Sequence, residues 1–314
     1  MKKIVVISLV MLLALASLIY WERPYLGNEP INEREWNVER VIADQETIAN
    51  VYIVFLNGLG CYSDGSRFNN MGFHEIRKAL TKVGYNLYDD RFLQYSYLGG
   101  EIRKGIWHPR KYSPRDTGQP MQVSVQALES MIEEFTLLHE EAQFLLVGHS
   151  LGGRIALDFV SRTNHENRER IKGVVTLNSP LLGSSARLPE PLMRLLEYSG
   201  HVFSAPVVKQ LIWEYSASPD FIDTKRQMIE ALQEEGLRVA TFSAESDLIV
   251  PAFTSFIVDE QGKPIADGKV IEGGRLFHRD LSGHMFILSR QEVQQYILSL
   301  LTERESIVAT EPQS

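Results

Sequence analysis

A continuous apolar run, Phe144-Leu145-Leu146-Val147, passes without a spacer into Gly148-His149-Ser150-Leu151-Gly152-Gly153 and then into Arg154-Ile155-Ala156-Leu157-Asp158-Phe159-Val160. An uninterrupted apolar run suits a strand covered on both faces, the condition of a parallel sheet, whereas a half-exposed strand alternates. Ile155 and Phe159 stand four apart, as one face of a helix requires. The chain must therefore go from buried strand to helix through one sharp turn. The same alternation recurs along the sequence. Strand-length runs fall at Val51 to Leu56, Asn86 to Tyr97, Gln143 to Val147, Gly173 to Leu177 and Leu237 to Phe242. Between them, Gln122 to His139 repeats Val125, Leu128, Ile132, Phe135 and Leu138 at helical spacing. A closing helix is marked by a capping box, Ser289 with Glu292, followed by Val293, Tyr296, Ile297 and Leu300. Alternation of this kind predicts an α/β fold with a doubly wound, mostly parallel sheet.

The ends of the chain read differently. Lys2 and Lys3 precede Ile4 to Trp21, an uncharged stretch in which only Ser8 and Ser17 are clearly polar. It is long enough to cross a bilayer core of about 30 Å as a single helix. Left uncut, it places Tyr20 and Trp21 at the membrane interface, and the lysines predict the bulk of the chain outside the cytoplasm. Cleavage after Ala14-Leu15-Ala16 is the alternative, giving a secreted product. Residues 1–21 are thus expected to be a transmembrane anchor or signal peptide, and 22–46, with Pro24, Gly27 and Pro30 and no periodicity, a linker. The folded domain is placed at 47–304, with a polar tail at 305–314.

Net charge is -8 with no long basic block, which gives no reason to expect nucleic acid or an anionic membrane surface as partner. Cys61 is the single cysteine, so neither an internal disulfide nor a cysteine-built metal site is available. The histidines lack the paired helical spacing of a metal site, and neither metal nor cofactor is expected.

Gly148-His149-Ser150-Leu151-Gly152 alone would arise by chance in about one chain of this length in ten. Its context carries the meaning, because strand, turn and helix is the arrangement that lifts a serine to the top of a sheet as a nucleophile. A serine hydroxyl needs a histidine base, and the histidine an orienting acid. In this arrangement the order along the chain is serine, acid, histidine. Downstream lie His201, His278 and His284. His284 follows Ser282-Gly283 and shortly precedes the last helix, and is preferred over His278; His201 falls in the insertion described below. Asp247, just after the run Leu237 to Phe242, is the expected acid, with Glu245 on the same loop as alternative. An acyl-transfer site also needs oxyanion donors. These are expected from the backbone N-H groups of Leu151 and of Leu59, the latter within Asn57-Gly58-Leu59-Gly60.

Taken together, Val54-Phe55-Leu56-Asn57-Gly58-Leu59-Gly60, Gly148-His149-Ser150-Leu151-Gly152-Gly153, Leu177-Asn178-Ser179-Pro180-Leu181-Leu182-Gly183, Ser246-Asp247-Leu248-Ile249-Val250-Pro251 and Ser282-Gly283-His284 resemble the successive signatures of the lipase and esterase branches of the α/β-hydrolase superfamily. The resemblance covers about 50 to 300. It implies an oxyanion strand, a nucleophile turn, a substrate wall, an acid loop and a histidine loop in that order. Asn57 departs from it, since many of these lipases carry His there.

Residues 184–236 hold no convincing strand and are longer than a simple crossover needs. Leu192, Leu195 and Leu196 begin one helical face; Val207, Val208, Leu211, Ile212 and Tyr215 make another. Such helices either pack on the core or form a cap over Ser150 with an apolar underside. The expected activity is hydrolysis of small-molecule or lipid-like carboxylic esters through an acyl-enzyme on Ser150. Acyl transfer, thioester or amide cleavage by the same groups, or a catalytically silent scaffold, are the alternatives.

Overall fold

The computed structural model describes residues 48–68, 72–185, 198, 201–216, 219–259, 263–272 and 282–302. The expected anchor at 1–21, the linker at 22–46, the tail at 305–314, His278, and Leu192, Leu195 and Leu196 lie outside these residues. Among the described residues no helix is long and apolar enough to cross a membrane.

Eight strands are present among the described residues: β1 Val51–Leu56, β2 Phe92–Gln94, β3 Gly100–Arg103, β4 Ile106–Pro109, β5 Gln143–His149, β6 Ile171–Leu177, β7 Arg238–Ala244 and β8 Asp267–Ile271. Six of them form one sheet in the order β2-β1-β5-β6-β7-β8, every neighbouring pair parallel. The longer helices among the described residues are α1 His74–Leu80, α2 Met121–Thr136, α3 Leu151–Arg162, α4 Pro206–Ser216, α5 Pro219–Glu234 and α6 Gln291–Thr302, with helices of four or five residues and 3-10 turns between. Apolar side chains alternate to the two faces of each strand. Leu146, Val54, Val174 and Val239 join Leu128 and Ile132 of α2, Ile155 and Phe159 of α3, and Ile229 and Leu232 of α5 in one core. Leu145, Val147, Ile53, Val175 and Ala240 join Ile76 and Leu80 of α1 and Val293 and Ile297 of α6 in the other. The sheet is covered on both faces, which is why Phe144 to Val147 carries no polar residue.

Several local expectations are corrected. The run Asn86 to Tyr97 yields only Phe92–Gln94 as strand, because Asn86 and Asp89 close a turn in which Asp89 N donates to Asn86 O and Asp89 Oδ2 accepts from Asn86 N. The helix expected to reach His139 ends at Thr136, leaving Leu138 exposed. Ser289 is no cap for α6: its hydroxyl donates to Phe286 O within a preceding 3-10 turn, and the helix starts at Gln291. The hairpin of β3 and β4 was not anticipated, although Lys104 and Gly105 both take positive φ, the geometry of a two-residue hairpin turn. Trp107 of β4 donates its indole N-H to Gln94 O, covering the outer edge of β2. Of the two placements open for 184–236, α5 takes the first, since Ile229 and Leu232 lie in the core. It is the crossover from β6 to β7.

The chain steps from β1 to β2 on one side and later to β5 on the other. In open parallel sheets this reversal opens a crevice beyond the carboxyl ends of the strands, the usual place for a ligand. Here it falls between Leu56 and its sheet partner Gly148.

Phe159 is fully buried between α3 and the sheet. Phe159→Ala is expected to cost about 3–5 kcal/mol through the cavity it leaves, read as a lower urea midpoint with the slope of the transition retained.

Candidate active site

The chain leaves β5 at His149, passes through Ser150 at φ 55° and ψ -128°, and enters α3 at Leu151. Positive φ in a residue with a Cβ costs on the order of 1–3 kcal/mol and persists only where the surroundings impose it. They do so here. Ser150 N donates to Leu177 O at 2.8 Å. The backbone of the β1 loop comes so close that a Cβ on Gly58 would lie 2.5 Å from the Ser150 Cβ, and one on Gly152 would lie 2.2 Å from Leu56 O. Gly58 and Gly152 are therefore fixed by close approach.

Asp247 follows the end of β7 and is buried. Its Oδ1 accepts from the backbone N-H groups of Ile249, at 2.8 Å, and Val250, at 2.9 Å. Its Oδ2 meets His284 Nδ1 at 2.7 Å. Glu245 is exposed and takes no part in this contact. A carboxylate only accepts, so Nδ1 carries the proton and His284 Nε2 is left as an acceptor. The ring of His284 packs against that of His149, with centroids 4.6 Å apart. The Ser150 hydroxyl makes no direct hydrogen bond to the His284 ring, and the two are brought together through His149, whose Nε2 donates to His284 O at 2.9 Å. Hydrogen bonds between nucleophile and base are often long without substrate and tighten when it binds.

The same His284 carbonyl accepts a second bond, from Asn178 Nδ2 at 2.8 Å. Asn178 follows β6 directly at φ 47°, is fully buried, and accepts from Ala244 N at 2.7 Å through Oδ1. One amide thus ties the end of β6 to the end of β7 and to the histidine loop. His149 and Asn178 were missed as site residues. The first stood at a variable position of the serine motif and the second within a segment read only as substrate wall. Nothing in the local pattern shows which distant carbonyl they reach.

Close to Ser150, the loop after β1 is braced around Leu59. Tyr97 donates its hydroxyl to Asn57 O at 2.8 Å, and Gly60 N donates to Thr117 Oγ1 at 2.8 Å. Burial pushes the nearby Cys61 thiol up to about 12, so it stays protonated and is no nucleophile at neutral pH. Leu151 is the first residue of α3, where helical N-H groups have no partner within the helix. His201 stands apart, accepting from Phe203 N as the cap of the turn Val202–Ser204.

A family model described as serine aminopeptidase, S33 matches residues 113–259, a span that holds Ser150 and Asp247 and ends before His284. Among solved structures, phospholipase PlaB from Legionella pneumophila aligns at TM-score 0.50 and 12% identity, covering 81% of this chain and 60% of that one. A lipase-esterase related protein from Clostridium acetobutylicum aligns at 0.46 and 15%, covering 82% and 97%. Est1E from Butyrivibrio proteoclasticus aligns at 0.44 and 11%, covering 81% and 88%. No curated protein matches by sequence. At 12% identity the likeness to phospholipase PlaB concerns the fold alone.

His149 supplies a pH dependence. Burial, and secondarily the neighbouring His284, pull its pKa down to about 3. An unfolded histidine takes up its proton near 6.5. Below that pH the unfolded chain binds a proton that the folded chain refuses, so stability is full above about 6.5 and falls toward pH 3, by up to about 1.4 kcal/mol per unit from this group. Urea midpoints measured between pH 7 and pH 4 should show the decline. In His149→Gln the protein should be weaker at pH 7 but its decline with acid shallower; an unchanged slope would exclude His149 as the source.

Proposed function

The chain is an α/β-hydrolase, and on that premise we propose that it is a serine hydrolase that cleaves carboxylic esters through an acyl-enzyme on Ser150. The observation that carries this reading is the 2.7 Å contact of His284 Nδ1 with Asp247, which leaves Nε2 as a base on the edge where Ser150 is held in its strained turn. Ser150 Oγ attacks the ester carbonyl as His284 Nε2 takes its proton. Asp247 holds the tautomer and offsets the charge on the imidazolium. The N-H groups of Leu59 and Leu151 receive the oxyanion as it forms. His284 then returns the proton to the departing alcohol, and a water activated by the same imidazole releases the acid. No metal or cofactor enters. The exposed aromatic groups of α4, Trp213 and Tyr215, favour an apolar acyl group. Residues 4–21 tether the domain to the cell membrane, with the catalytic domain outside the cytoplasm.

A second reading is cleavage of an amide, favoured by the family model's description as a serine aminopeptidase. The attacking groups are the same and only the leaving group differs, so paired substrates decide it. With p-nitrophenyl esters of increasing chain length beside the matching thioesters and anilides, the esters are expected to turn over fastest. A faster anilide would replace the first reading with the second.

A fluorophosphonate probe should label wild-type protein stoichiometrically at Ser150 and leave Ser150→Ala unlabelled. His284→Ala should lower kcat by about 10³-fold or more without unfolding the protein. Failure of folded wild type to react with the probe would end the serine-nucleophile reading.

A further inference from the structure

Four charged side chains lie buried together outside the Ser150, Asp247 and His284 arrangement. Arg154, on α3 just after the nucleophile turn, is 1% exposed. Its Nε donates to Asp158 Oδ1 at 3.0 Å, and its Nη1 lies 2.9 Å from Glu214 Oε2 on α4. The same Nη1 donates to the carbonyls of Pro180, at 3.3 Å, and Leu181, at 3.2 Å, in the segment after β6. Lys225 of α5 completes the group, with Nζ 2.7 Å from Asp158 Oδ1. The Phe221 ring stands beside both cations, and Gln210 donates to Glu214 Oε1 at 2.9 Å. Among these four buried residues the positive charges of Arg154 and Lys225 balance the negative charges of Asp158 and Glu214. The half-exposed Arg162 reaches Asp158 Oδ2 only at 3.7 Å from the rim. Although burial opposes it, the Arg154 and Lys225 charges hold the Asp158 carboxyl well below the usual carboxylate range.

Buried charges of this kind are tolerated only while every partner stays in place, because removing one leaves the others uncompensated in a poorly polarisable medium. A helix built to swing aside would break such a group at each opening. Further ties follow the same line: Ser184 N donates to Leu211 O of α4, and Leu182 N to Thr254 O. We propose that Arg154, Asp158, Glu214 and Lys225 are positioning residues that clamp α4, α5 and the segment Pro180 to Leu182 onto the nucleophile helix. This stretch of the insertion is then a fixed wall of the acyl pocket instead of a hinged lid, and the wall's position selects among acyl groups. The last clause rests on the ester-hydrolase reading; the clamp itself does not.

The clamp is tested by hydrogen exchange and kinetics on the full chain. In wild type, amides of 207–216 and 220–234 should exchange as slowly as those of α3. Glu214→Gln and Lys225→Met each unbalance the group and should speed exchange in both helices by about tenfold or more. They should also raise KM for p-nitrophenyl octanoate several-fold while kcat for p-nitrophenyl acetate stays within about twofold. The double variant, neutral again, should recover most of both losses. Wild-type exchange in α4 as fast as in exposed loops would overturn the proposal, as would single variants that leave exchange unchanged or a double variant whose losses simply add. If wild type cleaves no ester, that outcome removes the ester reading, and exchange alone decides the clamp.

Discussion

The close approach of β1's trailing loop to the turn that follows β5 governs the geometry of the site. Gly58 and Gly152 bring two stretches of backbone to a separation that no side chain could occupy, and Ser150 is pressed between them into a conformation that residues with a Cβ avoid. Parallel pairing of Leu56 with Gly148 sets that separation, and the two buried cores on either side of the sheet sustain it. The strain at Ser150 is local, whereas the packing that holds it there is distributed over the whole domain.

The histidine loop is held by its backbone as much as by its ring. Two donors, His149 and Asn178, converge on the carbonyl of His284, and a carboxylate fixes the far side of its imidazole. Because Asn178 also reaches Ala244, the ends of β5, β6 and β7 and the loop carrying His284 form one hydrogen-bonded unit. A displacement of any of these strands is therefore felt at the His284 ring. The neutral state of His149 matters to the chemistry, since protonation would bring a second positive charge beside a ring that must itself take up a proton in the proposed mechanism.

Those features were unequally legible in the sequence. Phe144 to Val147 and the turn after it announced a buried strand and a serine at its tip, and Asp247 and His284 behind it stand in the chain order that goes with such a strand, turn and helix. Contacts made across long separations in the chain left no local trace. Arg154 and Lys225 read as ordinary helical charges, and only the fold brings them onto Asp158 and Glu214. β8 was invisible for a different reason: Asp267 to Val270 are exposed, so the strand shows none of the apolar pattern by which its neighbours were found. Likewise, the segment 184–236 had the length of a cap but contributed α5 to the core, because amphipathic spacing gives the width of an apolar face and not the surface it will meet.

An open sheet ends in two strands whose outer hydrogen-bonding groups can recruit another chain. On one side β2 is only three residues long, and the Trp107 indole occupies the Gln94 carbonyl. On the other, β8 carries Asp267 and Lys269 and a left-handed Gly268, and the Asp267 carboxylate accepts from the Tyr296 hydroxyl of α6 at 2.6 Å. Neither border offers a long, flat, apolar template. The sheet is thereby protected against stacking edge to edge with its own kind, a safeguard suited to a fold whose central strands are among the most apolar stretches of the domain.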